Sequence, residues 1–279
     1  MEKKFFQKPT TYVGEVNINV TDLERSLHFY KNILGFRVLK QSSLSVVLTA
    51  DGKTPILSLE QPPEVISREA KTTGLYHFAI LLPTRADLSS FLKHSIRSGV
   101  PLGASDHYVS EALYFNDPDG NGIEVYRDRP SSEWNWTEGQ VAMATEPLDG
   151  DNLLAEGDKE WNGMPEDTIL GHIHLHVANL EETEKFYVNG LGFKIVTKYP
   201  GALFASTGDY HHHIGLNVWN GVGAKPPVKN SVGLNWFELV FPSEEAVKQT
   251  VSKLNSMGVT VKHDNEVVDP AGNVIRLVC

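Results

Sequence analysis

Cysteine is all but missing from this chain: Cys279, the last of 279 residues, is the only one. No intrachain disulfide can form and a thiolate-bound metal cluster is excluded, which points to a reducing cytoplasm as the compartment. Long apolar runs are missing too. No window approaches the roughly 18 apolar residues of a membrane span. The opening MEKKFFQKPT carries charge without an apolar stretch of signal-peptide length, so a soluble, unexported protein is expected. Positive charge is in deficit, with 25 Lys and Arg against 35 Asp and Glu for a formal net charge of -10. Neither nucleic acid nor an anionic membrane suits such a surface, because both draw clustered Lys and Arg. What remains is ordinary globular composition, 41% hydrophobic and 22% charged, with length enough for two domains and a sizeable core.

The chain repeats itself. GEVNINVTDLERSLHFYKNILGF at 14–36 aligns without gaps to GHIHLHVANLEETEKFYVNGLGF at 171–193, an offset of 157 positions that matches Phe29 to Phe186, Tyr30 to Tyr187 and Gly35 to Gly192. A weaker pair aligns GLYHFAILLP at 74–83 with GLNWFELVFP at 233–242, and DPDGNGIEVY with DPAGNVIRLV. Four units result. Each opens with period-2 alternation, continues with helical spacing such as Leu23, Leu27, Tyr30 and Leu34, and ends in short strand-like runs between Gly, Pro or Asp turns. Thr21 or Asp22 suits a helix N-cap and Gly35 a C-cap. The unit reads as βαβββ. Residues 129–167, rich in Asp, Glu, Pro and Gly and without sustained period, read as a linker between a first domain at 9–128 and a second at 168–279. Trp134, Trp136 and Trp161 are expected to cover apolar surface there.

Histidines and a glutamate stand on the polar faces of predicted strands. His172, His174 and His176 alternate with Ile173, Leu175 and Val177, and His77, Ala79 and Leu81 alternate with Phe78, Ile80 and Leu82. Glu124 follows a DPDGN turn and stands opposite Ile123 and Val125. Two neutral imidazoles and one carboxylate leave open positions on a metal, the arrangement of non-haem Fe(II) enzymes that activate O2.

At this point the chain resembles the vicinal oxygen chelate superfamily, in which paired βαβββ modules curl into open, cup-shaped barrels around a metal. The resemblance covers most of the chain outside 129–167 and implies an α+β fold of two such cups, as in glyoxalase, bleomycin resistance protein and dihydroxybiphenyl dioxygenase. Residues His107, Leu113, Tyr114, Asp117, Pro118, Gly120 and Glu124 look like the extradiol ring-cleavage dioxygenase signature, with Ser105 departing from its usual first position. The likeness is to the catechol 2,3-dioxygenase-like, Bacillus-type branch. It implies His77, Glu124 and His172 as metal ligands, Fe(II) as the ion with Mn(II) as second choice, and a small aromatic diol and O2 as partners. HHHIGLN at 211–217 resembles the family's histidine pair before an apolar strand, with His212 at the position of the acid/base and His107 and Tyr114 as further catalytic groups. An imidazole titrates near working pH, so His212 is expected to take and return a proton, while His107 and Tyr114 hydrogen-bond the reacting oxygens. The implied reaction is extradiol cleavage to a muconic semialdehyde in the cytoplasm, by an association of identical copies.

One departure bears on assembly. In the better-known extradiol enzymes, as the resemblance implies, the third and fourth units supply every ligand. Here Trp236 matches His77, Arg276 matches Glu124, and Glu15 stands in the first unit where His172 stands in the third. Pairing units two and three reunites His77, Glu124, His172, His107, Tyr114 and His212, and a linker of this length permits the crossing. Pairing within halves would instead make Glu15 a ligand. Two other classes stay open: a glyoxalase-like isomerase or lyase using Zn, Ni or Mn, kept alive by Glu15, and a metal-free binding protein of the drug-sequestering type, which needs only an apolar cup.

Overall fold

The computed structural model describes residues 1–157 and 159–279. Local chemistry sets the helix starts. Asp22 Oδ1 accepts from the Arg25 amide at 3.0 Å to begin α1 (Leu23–Asn32), and Thr84 does the same for α2 (Arg85–Arg97) from Asp87 at 3.1 Å. Asn179 caps α4 (Leu180–Glu184) and Ser243 caps α5 (Glu244–Ser256), each satisfying amides that a first turn leaves without partners. Gly35 and Gly192 both take φ of +84°, a conformation that costs glycine nothing as the chain leaves the helix.

The four units are present. Unit one is β1 (Tyr12–Asn19), α1, β2 (Arg37–Gln41), β3 (Ser45–Thr49) and β4 (Leu57–Glu60), and unit two is β5 (Gly74–Leu81), α2, β6 (Gly103–Asp106), β7 (Ser110–Asn116) and β8 (Gly122–Asp128). The segment read as a linker carries β9 (Trp136–Thr137), β10 (Gln140–Val141), β11 (Glu146–Pro147) and the short α3 (Gly150–Leu154), so it is built into the fold. Asp158, within that segment, lies outside the described residues. Unit three is β12 (Ile169–His176), α4, β13 (Lys194–Tyr199), β14 (Ala202–Ser206) and β15 (Ile214–Asn217). In unit four, β16 (Gly233–Val240), α5, β17 (Glu266–Val268) and β18 (Val274–Val278), the second strand is reduced to an isolated bridge at Val261.

The sheets draw on both halves of the sequence. A seven-stranded sheet runs β17-β18-β16-β1-β4-β3-β2, joining units four and one, and a nine-stranded sheet runs β11-β6-β7-β8-β5-β12-β15-β14-β13, joining units two and three. The seam of the larger sheet is the antiparallel pair β5 and β12, where His174 opposes His77 and His172 opposes Ala79. The same seam in the smaller sheet sets Asn17 opposite Trp236.

Two irregularities in that seam shape the cup. Between Leu170 and His172, and between His174 and Leu175, the register slips by one residue. Gly171 and Tyr76 are the residues left over, and such bulges re-aim neighbouring side chains. Gly171 is required where it stands, since a Cβ there would fall 1.8 Å from the Tyr126 hydroxyl.

The alternation sorts as the strand period demands. Phe78, Ile80, Leu82, Ile123, Val125, Ile173, Leu175 and Val177 all join one main core beneath the helices, while Ala79 and Tyr126 pack on the opposite face. Truncating Phe78, which is fully buried there, to alanine would cost about 3–5 kcal/mol. The modules of the two sheets are also cross-tied: Tyr30 of unit one donates to Asp117 of unit two, and Tyr187 of unit three to Asp269 of unit four. No helix among the described residues is long and apolar enough to cross a membrane.

Candidate metal centre and its cup

His77 on β5, Glu124 on β8 and His172 on β12 converge on one point inside the nine-stranded sheet. They are the one group of three or more His, Cys, Asp or Glu side chains among the described residues with donor atoms all within 4.8 Å of one another, and all three are buried. His77 Nε2 lies 3.0 Å and His172 Nε2 3.1 Å from Glu124 Oε2. Ligands that meet a first-row divalent ion at right angles, at bonds of about 2.0–2.2 Å, lie about 3 Å apart. His77 Nε2 is buried without a hydrogen-bond partner despite its nearness to the carboxylate, as a donor aimed at a shared centre should be.

The protonation states suit that purpose. Burial pushes the His172 imidazole down to about 4, against the smaller pull of Glu124, so the ring is neutral at neutral pH. Burial works against the Glu124 carboxylate, but His172 and His77 outweigh it and hold the group well below the usual carboxylate range. Neutral imidazoles and an ionised carboxylate are the forms that bind a divalent metal.

A cavity of about 290 Å³ opens over these three residues, and His107, Tyr114 and His212 all line it. Two hydrogen-bonded chains reach it from behind. Asp128 Oδ1 lies 2.8 Å from His211 Nε2, and His211 Nδ1 lies 2.8 Å from His212 Nδ1. A carboxylate accepts only, so His211 donates to Asp128 from Nε2 and, as a neutral ring with one proton, accepts from His212 at Nδ1. His212 therefore keeps its proton on Nδ1 and leaves Nε2 bare toward the cavity. On the other side His107 donates from Nδ1 to the Ala144 carbonyl at 2.5 Å and accepts at Nε2 from the Tyr114 hydroxyl at 2.6 Å.

Two expectations change in detail. His212 does not titrate near neutrality: burial, then His172 and His211, hold it well below the ordinary histidine range. His107 has both nitrogens engaged, so it reaches the cavity's centre through Tyr114. The Tyr114 hydroxyl is pushed well above its ordinary range by burial and then by the Glu124 charge, and it stays protonated.

Glu15 does not join this group. It lies on β1 in the other sheet, where Ser58 donates to it and where it lines a separate cleft with Glu238.

Residues 12–125 and 169–275 match the Glyoxalase/Bleomycin resistance protein/Dioxygenase superfamily. The chain belongs to that superfamily. Among its relatives, catechol-2,3-dioxygenase of Bacillus subtilis (strain 168) is 48% identical over 257 residues, covering 90% of each chain. This likeness places the protein among the catechol 2,3-dioxygenase-like enzymes of the superfamily. Biphenyl-2,3-diol 1,2-dioxygenase 3 of Rhodococcus globerulus is 27% identical over 158 residues, covering 54% of this chain and 83% of that one. A solved structure from Bacillus subtilis subsp. subtilis str. 168 superposes with a TM-score of 0.69 at 15% identity, covering 97% of this chain and 85% of the other. Glyoxalase I from Zea mays gives 0.58 at 17%, covering 96% and 92%. At those identities the two structures speak to the fold alone.

Several residues of the superfamily cup escape a reading of the sequence. The wall includes Tyr76, Met143, Ala144, Thr145, Tyr199, Phe204 and Trp219. Met143–Thr145 come from the segment read as a linker, which brings them in by pairing β11 with β6. Its tryptophans stay out of the cavity: Trp134 stacks on Phe5 in a satellite core, and Trp161 packs on Phe91.

Proposed function

We propose that this protein cleaves the ring of a catechol-type diol with O2 in the extradiol manner, at a ferrous ion held by His77, Glu124 and His172, giving a muconic semialdehyde-type product. The observation that carries this reading is the meeting, in one buried cup, of a two-histidine, one-carboxylate group with a bare imidazole nitrogen and a protonated tyrosine. His77, Glu124 and His172 would hold the metal ion, which would supply Lewis acidity that lowers a substrate hydroxyl's pKa.

The chain's own groups do the proton work. His212 Nε2, kept bare by the Asp128–His211 chain, accepts a proton from a substrate hydroxyl as general base and returns it later. Its low basicity suits a substrate hydroxyl already made acidic. Tyr114, whose proton is held by His107 Nε2 while the Ala144 carbonyl keeps that ring in the accepting tautomer, offers its hydroxyl oxygen to a substrate O–H, and would turn its own proton to a developing oxyanion only by releasing His107. Tyr76, Tyr199, Phe204 and Trp219 present aromatic surface to a planar ring and keep water away from it.

The test is anaerobic purification, loading with Fe(II) and then with Mn(II), and O2 uptake on catechol. Consumption of O2 with a yellow ring-opened product is expected. A colourless diacid from catechol, or no uptake with any catechol or hydroquinone on iron-replete protein, would sink the assignment.

A further inference from the structure

His174 is the histidine of the cup that neither joins the three converging ligands nor belongs to the two chains behind His212 and Tyr114. Its ring sits 5.1 Å from that of His77 and 5.0 Å from Tyr76, with Phe204 at 5.5 Å and Trp219 at 5.4 Å, between the metal centre and the aromatic mouth. Gly215 makes room for it, since a Cβ there would lie 2.7 Å from His174 Cγ.

Its tautomer follows from its neighbours. The backbone amide of Trp219 donates to Asn217 Oδ1 at 3.1 Å, which fixes which end of the Asn217 amide is oxygen, and His176 Nδ1 adds a second bond to that oxygen at 2.7 Å. Asn217 Nδ2 must then face His174 Nε2, at 3.0 Å, as a donor. A nitrogen that accepts carries no proton, so the single proton of His174 is on Nδ1. Nδ1 has no protein partner among the described residues and is not among the buried unpartnered atoms, so it opens on the cavity that His174 lines. No Lys or Arg among the described residues lines that cavity. Arg68 is tied to the Leu75 and Gly120 carbonyls outside it.

We propose that His174 is a substrate-contacting residue that sets specificity: its Nδ1–H, framed by Tyr76, Phe204 and Trp219, favours catechols with an uncharged hydrogen-bond acceptor on the ring and leaves a ring carboxylate without a partner. The proposal rests on the ring-cleavage reading and names its substrate class. A carboxylate placed here would be buried without a cation, which is costly, whereas a neutral acceptor gains a hydrogen bond of modest net value.

The experiment compares 3- and 4-methoxycatechol with their ethyl isosteres and with 3,4-dihydroxybenzoate, by kcat/KM on the iron-loaded enzyme and by anaerobic calorimetric Kd. Wild type should favour at least one methoxycatechol over its ethyl isostere by about 3- to 10-fold, and disfavour the carboxylate by about a hundredfold or more. His174→Phe should erase the methoxy preference in both KM and Kd while metal content holds. Asn217→Leu, which keeps the ring but frees its tautomer, should weaken the preference and serves if the first variant folds poorly. An unchanged preference in iron-replete His174→Phe, or a wild type that prefers the carboxylate, overturns the proposal while catechol turnover stands. Failure of wild type to bind or consume any catechol overturns the ring-cleavage reading as well.

Discussion

The guanidinium of Arg276 lies 3.7 Å over the ring of Trp236. These two residues occupy, in the seven-stranded sheet, the strand positions that Glu124 and His77 hold in the nine-stranded one, as the pairing of Arg276 with Glu238 and of Glu124 with Ala79 shows. A cation stacked on an indole face is a stable contact of about 0.5–2 kcal/mol, and it fills the place where a second ion would sit. The fold thus carries two cups by symmetry and, among the described residues, one assembled donor set by sequence.

Metal content should therefore be one ion per chain. His172→Ala should lose it as fully as His77→Ala or Glu124→Ala, while Glu15→Ala, altering the other sheet, should keep it. Metal analysis of the four variants checks this. Two tightly held ions in wild type, or loss of the ion in Glu15→Ala alone, would contradict the pairing of units two and three in one site.

Asp128→Asn replaces an acceptor with a group that can donate to His211 Nε2, and it allows the opposite tautomer to pass along to His212. Nε2 of His212 would then carry the proton it is meant to take. Turnover should fall by about 10- to 100-fold, the usual cost of losing such a supporting group, with iron content and catechol KM little changed. Equal loss of iron and activity would mean that Asp128 serves folding alone.

Much of this was legible in the sequence because the period of a strand is strict. The gapless offset of 157 positions marked equivalent strands, and alternation alone put Ile173, Leu175 and Val177 in the core and His172 and His174 toward the cup. The cup wall was not legible for two physical reasons. Bulges at Gly171 and Tyr76 break the alternation, so two consecutive residues, Tyr76 and His77, both reach the cavity. Met143, Ala144 and Thr145 arrive on an aperiodic segment whose placement depends on a two-residue strand pairing with Ser105 and Asp106. The Asp128–His211 chain was hidden differently: nothing in HHHIGLN distinguishes His211 from its neighbours until β8 and β15 share a sheet.

Tyr30→Phe should cost stability while sparing the metal centre. Asp117 loses the 2.9 Å bond from the tyrosine hydroxyl but keeps those from the Asp119 and Asn121 amides and from Asn121 Nδ2. Loss of one bond to a buried charged acceptor costs about 1.5–3 kcal/mol. Denaturant unfolding should report that loss, with iron affinity unaltered because the DPDGN turn keeps its own bonds. Removal of the ion by this change would show the helix to be holding Glu124 in place.

Acid sensitivity should trace to Glu111. Its carboxylate lies on β7, buried, with Arg85 Nε at 2.8 Å and Arg127 Nε at 2.7 Å. Burial alone would raise its pKa, but the Arg85 hydrogen bond and the Arg127 charge more than offset that and leave it lowered. A carboxyl whose folded pKa is depressed binds its proton less tightly in the folded chain than in the unfolded one, where it titrates near about 4.3. The stability it contributes is present above that value and disappears as pH falls through the lower folded pKa. Glu111→Gln should accordingly lower the Tm at pH 7, where it leaves the two guanidinium groups without their shared partner. The gap between wild type and variant should stay constant down to about pH 5 and narrow progressively below that, as the pH falls through the unfolded and then the lower folded pKa. A gap that widens on acidification would show that Glu111 is protonated in the folded chain and that its arginines contribute by packing.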